Sequence, residues 1–183
     1  MIRLLFRMPE EEIPPSSALL ERFQVDRLDE EVRSRPSPPA WAEVRGWAGQ
    51  LLDVLEYLHG LSPPILVRDL NPRNVMLTPT GQVRLVDFGL ARHVRPGGKT
   101  SQTLVGTLGY CPLEQMQGHA EPRSDLYALG ATMFHLLTGT PPPPYRGAPL
   151  LRHRPDAPER LAEALARAMA PRAADRFPDA AAF

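Results

Sequence analysis

Three side chains that offer bare oxygen atoms stand on short turns between apolar stretches of this sequence. Asp69 and Asn74 lie in VRDLNPRNVML (67–77), and Asp87 lies in VDFGLAR (86–92). Carboxylate and amide oxygens suit hard divalent cations, and such cations accompany phosphate chemistry. Asp and Asn are also ordinary turn formers. The elements around them decide which reading holds.

From Trp41 onward, Val44, Ala48, Leu51, Leu55 and Leu58 recur at helical spacing, and His59-Gly60 closes the run as a glycine cap would. Two short strands are expected next, residues 74–77 and 82–86, with TPTG (78–81) as the hairpin turn. That hairpin puts Asn74 and Asp87 near strand ends. Residues 92–107 form a polar loop carrying Thr100, Ser101 and Thr103. A buried helix is expected from about Ser124 through LYALGATMFHLLTG (126–139). That stretch is too short to span a bilayer and ends in a proline run. After a proline-dense connector (141–149), PERLAEALARAMA predicts a helix burying Leu161, Leu165 and Met169. Another helix is expected to start after Pro178. Ahead of Trp41, IPPSS and SRPSPPA are linker-like, leaving room for one short helix. The division is therefore a poorly organised segment over 1–40 and one domain over 41–183.

The bulk properties exclude several classes. A chain of 183 residues can bury one sizeable core. Twenty-one basic residues balance twenty-one acidic ones, so no net field draws it to nucleic acid or anionic lipid. The opening MIRLLFRM is interrupted by Arg7 and Pro9 before an apolar core of a signal peptide forms. The single cysteine, Cys111, excludes an internal disulfide and fits a reducing compartment, so a cytoplasmic location is expected. With no base or cation beside it in the sequence, Cys111 reads as a small packing residue. Trp41 and Trp47 are expected in the core or at an incomplete edge of it.

Five ordered motifs, VRDLNPRN, DFG, GTLGYCPLEQ, SDLYALG and ADRFPDA, resemble those of the C-terminal lobe of eukaryotic-type protein kinases, most closely the serine/threonine kinases of bacteria. The resemblance runs from Trp41 to the end. It implies a mainly α-helical C-lobe with small β hairpins (α+β), and transfer of the γ-phosphoryl group of ATP to serine or threonine hydroxyls of a protein, with Mg²⁺ or Mn²⁺. It gives Asp69 the role of base toward the substrate hydroxyl, and Asn74 and Asp87 those of metal and nucleotide ligands. Thr107 resembles the threonine that meets the catalytic aspartate. Arg68 resembles the arginine that binds a phosphorylated activation loop, for which Thr100, Ser101 and Thr103 are candidate carriers; plain solvation of those hydroxyls is the alternative. Asp125 resembles the buried aspartate that holds the catalytic loop by its backbone, though Ser124 and Asp125 would also start a helix well. Glu114 and Arg176 resemble an anchoring ion pair.

Three departures accompany the resemblance. Val67 replaces a histidine, and PLE (112–114) replaces APE. Asn71 stands where these kinases carry a lysine toward the transferred phosphate, and an amide cannot supply that charge. Whether Arg73 compensates depends on where it points. The sequence has no glycine before Gly46 and no lysine except Lys99, so the glycine-rich loop and strand lysine of an N-terminal lobe are not in it. The expectation is therefore a kinase C-lobe without its N-terminal β lobe and cut in its last helix, with little activity alone. The alternative is a pseudokinase module that binds protein partners and transfers nothing.

Overall fold

Every turn of LYALGATMFHLL is apolar, and a helix that is apolar all round has to be enclosed by other elements. The computed structural model, which describes residues 26–85, 92–93, 106–145, 147 and 149–183, encloses it so. The order of the main elements is β1 (Asp26–Arg27), α1 (Leu28–Ser34), α2 (Trp41–His59), β2 (Ile65–Leu66), β3 (Val75–Leu77), β4 (Val83–Leu85), β5 (Arg92–His93), α3 (Leu113–Met116), α4 (Pro122–Thr138), α5 (Leu150–His153) and α6 (Glu159–Ala168). The described residues are thus mainly helical with small antiparallel sheets, a protein-kinase C-lobe-like architecture.

The central helix α4 starts two residues before Ser124, because Glu121 caps it. The Glu121 side chain takes the Ser124 N–H while the Ser124 hydroxyl takes the Glu121 N–H, and Pro122 fills the first turn. It ends on Gly139 at φ 73°, a left-handed position that favours glycine. Helix α4 packs against both α2 and α6. At Gly130 a Cβ would lie 3.0 Å from Ala168 Cβ and 3.1 Å from Met169 Cγ, so glycine permits the close approach of α6. Helix α6 buries Leu161, Leu165 and Ala168, with Met169 just beyond. Helix α2 buries Val44, Trp47, Ala48, Leu51, Leu55 and Leu58, and Trp41 packs on the margin of the same core. Its cap, Gly60, is right-handed at φ −75°, so closure there needs no glycine-only conformation.

The hairpin forms as TPTG demands. Thr78 N–H donates to Gln82 O at 2.9 Å, Gly81 N–H to Thr78 O at 2.9 Å, and Gly81 sits at φ 76°. Val75 pairs with Leu85 and Leu77 with Val83. Gln50 of α2 steadies it, accepting from Val83 N–H at 3.0 Å. Asn74 lies outside the strand, in a 3₁₀ turn over Pro72–Asn74, since Pro72 and the Asn71 cap favour a turn start.

Elsewhere the structure departs further from the sequence expectation. Residues 26–34 already belong to the core: β1 pairs with β3, and Leu28 and Val32 are buried. Strand β5 pairs with β2 inside the stretch read as loop. Residues 179–183 are not helical in the structure. Asp179 takes the Ala182 N–H at 2.9 Å as a cap would, and Phe183 N–H reaches Ala180 O. Phe183 instead stacks on Phe177 with ring centroids 4.9 Å apart. Among the described residues, no helix is long and apolar enough to cross a membrane.

Candidate active site

The loop between β2 and β3 carries Asp69 and Asn74, and its shape is imposed from outside. Arg68 has φ 67°, a left-handed conformation costly for an arginine and sustained only where the surroundings fix it. Two side chains supply the fixing. Asp125, fully buried near the start of α4, accepts from Arg68 N–H at 2.8 Å and Val67 N–H at 2.9 Å, while His59 Nε2 meets its Oδ2 at 2.8 Å. From the other side Gln115 Nε2 donates to Arg68 O at 2.6 Å. Asp125 therefore holds the loop by its backbone and does not cap α4. Substituting alanine leaves two buried N–H groups unpaired, each costing about 1–3 kcal/mol. Asp125→Ala is accordingly expected to lower the urea midpoint sharply with the slope unchanged, as read by circular dichroism.

With the backbone turned, Asp69 sits in a cluster of neutral donors. Its Oδ1 accepts from Thr107 Oγ1 at 2.9 Å, Thr107 N–H at 3.2 Å and Asn71 Nδ2 at 3.1 Å. Its Oδ2 accepts from Asn74 Nδ2 at 2.9 Å. Because the Asn74 amide nitrogen is held there and on Asp69 O, also at 2.9 Å, its Oδ1 makes no hydrogen bond among the described residues. That oxygen is the donor a hard cation would use. Asp87, Thr100, Ser101 and Thr103 lie outside the described residues. Arg68 is buried. Arg73 is 69 % exposed, and its Nε lies 3.8 Å from Asp29 on α1, a carboxylate that also pairs with Arg33. Its ion pair is thus with α1, and no ion pair joins it to Asp69.

Thr107 is delivered by a tight corner. Gly106 has φ 135°, and a Cβ there would fall 2.8 Å from both Cβ and Sγ of Cys111. Cys111 is buried, and burial, then the charges of Glu114 and Asp69, push its thiol up to about 11. Such a thiol packs and does not react. Helix α3 carries Glu114 onto Arg176 at 2.6 and 3.2 Å, a bidentate pair, and the Ser124 hydroxyl adds a bond of 2.8 Å to Glu114. The PLE departure leaves this contact intact: Pro112 precedes α3 and Leu113 points largely to solvent.

Two partners had no assigned role in the sequence. Gln115 ends the GTLGYCPLEQ motif, and only its position beside Glu114 hinted at one. Tyr110 hydrogen-bonds His135 of α4 and so ties the segment after Thr107 to the core helix. Burial raises the phenol to about 12 and lowers the imidazole, so both are neutral near pH 7.

The sequence matches the protein kinase domain family over residues 16–170. The chain belongs to that family. It is 45 % identical over 96 residues to a probable serine/threonine-protein kinase of Streptomyces coelicolor, and 40 % over 96 residues to the probable serine/threonine-protein kinase PknB of Bifidobacterium longum. Each match covers 50 % of this chain and 14 % of the relative. A cGMP-dependent protein kinase of Drosophila melanogaster is 42 % identical over 100 residues, 54 % of this chain and 10 % of that protein. The chain is thus similar to small parts of much longer protein kinases, among them serine/threonine kinases of bacteria.

Proposed function

We propose that this chain supplies the catalytic-loop side of a serine/threonine protein kinase, acting on ATP and on hydroxyls of a protein. The observation that carries the reading is the single cluster joining Asp69, Asn74 and Thr107, held by Asp125 from below. In it Asp69 would orient the substrate hydroxyl and accept its proton. Asn74, with its amide nitrogen anchored and its oxygen uncommitted, fits a magnesium or manganese ligand, and Asp87 would be the carboxylate beside it. The cation, when bound, supplies neutralisation of phosphate charge. Arg68 would meet a phosphate on Thr100, Ser101 or Thr103.

Asn71 and the lack of any lysine ahead of the catalytic loop favour weak transfer by this chain alone. Positioning and charge stabilisation are nearly all that a kinase contributes. The same features keep a second reading in play, a protein-binding pseudokinase module. Calorimetry with Mg²⁺ and ATP tests the ligand assignment. Weak binding is expected, weakened further by Asn74→Ala and by Asp87→Ala. Binding that neither substitution alters would refute the assignment.

A further inference from the structure

Asn71 is 2 % exposed, and both ends of its amide are engaged. Its Oδ1 accepts from Arg73 N–H at 3.0 Å, capping the 3₁₀ turn and fixing which end of the amide faces which way. The other end is thereby aimed at Asp69. Nδ2 lies 3.0 Å from Asp69 O, 3.1 Å from Asp69 Oδ1 and 3.5 Å from Thr107 Oγ1. Thr107 in turn directs both its N–H and its hydroxyl at that same Asp69 oxygen. The three residues close a ring of hydrogen bonds between two segments 38 positions apart.

We infer that Asn71 is a positioning residue: its amide clamps the Asp69 carboxylate to Thr107 and so joins the catalytic loop to the activation segment through neutral hydrogen bonds alone. With its oxygen on Arg73 and its nitrogen on Asp69 and Thr107, Asn71 has no group left for a nucleotide. It acts through Asp69. The junction is made without a charge at position 71. The inference rests on the kinase reading for the role of Asp69, but the clamp itself is measurable without phosphoryl transfer.

The bland alternative is that Asn71 merely caps the turn. The two roles use opposite ends of the amide and can be separated. Asn71→Asp keeps an oxygen for the Arg73 N–H but turns an oxygen toward the Asp69 carboxylate, where like charges repel. Asn71→Ser keeps a capping oxygen without adding charge and is too short to bridge to Thr107. The experiment is residue-resolved amide hydrogen exchange by NMR on the full chain, with no ligand added. In the wild type, the Thr107 N–H and the Asn71 side-chain amide protons are expected to exchange slowly. In both variants the Thr107 N–H should exchange at least about tenfold faster, while the Arg73 N–H stays within about twofold of wild type. The α4 amides, unchanged, report that each variant is folded.

A Thr107 N–H that stays within about twofold of wild type in a folded variant would overturn the clamp. Equal acceleration at Arg73 and Thr107 would also overturn it, because the turn would then be what Asn71 holds. An Asn71 side-chain amide exchanging as fast as a free one in the wild type would overturn it without any variant. None of these readings depends on phosphoryl transfer, so failure of the clamp and failure of the kinase assignment are distinguishable.

Discussion

Arg176→Ala is expected to destabilise the fold by about 3–5 kcal/mol, the usual effect of removing one partner of a buried ion pair. The side chain of Arg176 is wholly buried and that of Glu114 is 18 % exposed, so little water is at hand to solvate the carboxylate left behind. The loss extends past the pair. Arg176 also donates to Ala170 O at 2.8 Å, Arg123 O at 3.1 Å and Pro171 O at 3.2 Å, and its guanidinium lies 4.9 Å from the Tyr127 ring centroid. One side chain thereby fastens α3, the start of α4 and the turn after α6. Arg176→Lys should recover little, because an ammonium cannot reproduce the fork. Thermal unfolding by circular dichroism checks this: both variants should melt many degrees lower, with Arg176→Ala the lowest. An unchanged midpoint for Arg176→Ala would mean that the pair contributes nothing.

What could be read in the sequence was whatever a local pattern or an ordered motif specifies. Helix α4 was legible because no face of it is polar, and α6 because its apolar positions recur at helical spacing. The hairpin was legible from TPTG. The pairing of Glu114 with Arg176 spans 62 positions and has no local signal; only the resemblance suggested it. The same holds for Asp125 and the backbone of Arg68, 57 positions apart, where a helix start read equally well.

The elements missed were too short to show a period. Strands β1, β2 and β5 have two residues each, and two residues cannot display alternation. Helix α1 reads as polar, LDEEVRS, yet Leu28 and Val32 go into the core and take Asp29 with them. The direction of Arg73 was set by that buried Asp29, which no spacing rule links to the catalytic loop. Gln115 and the Tyr110–His135 contact were illegible for the same reason: each side chain is ordinary in its own segment and meets a partner 47 or 25 positions away only in the fold.

Asp69→Asn is expected to lower phosphoryl transfer about 10²–10⁴-fold, the range that a positioned acid–base group contributes. The amide is nearly isosteric, so the bonds from Thr107 and Asn74 lose one acceptor oxygen while the loop stays held by Asp125. A fall in transfer without a fall in melting temperature would therefore report chemistry and not folding. The sequence holds no glycine-rich loop and no strand lysine, so the assay is made on a fusion that supplies them. A kinase N-terminal lobe should be joined ahead of Asp26, not ahead of Trp41, since Leu28 and Val32 belong to the core. The decisive measurement is transfer of radiolabelled phosphate from ATP to a basic protein by that fusion, beside its Asp69→Asn variant. Transfer by the fusion that drops on the order of 10²–10⁴-fold in the variant is the result expected. Equal transfer by both proteins, or none from a folded fusion that binds Mg²⁺ and ATP, would contradict the assignment of this lobe as a catalytic one.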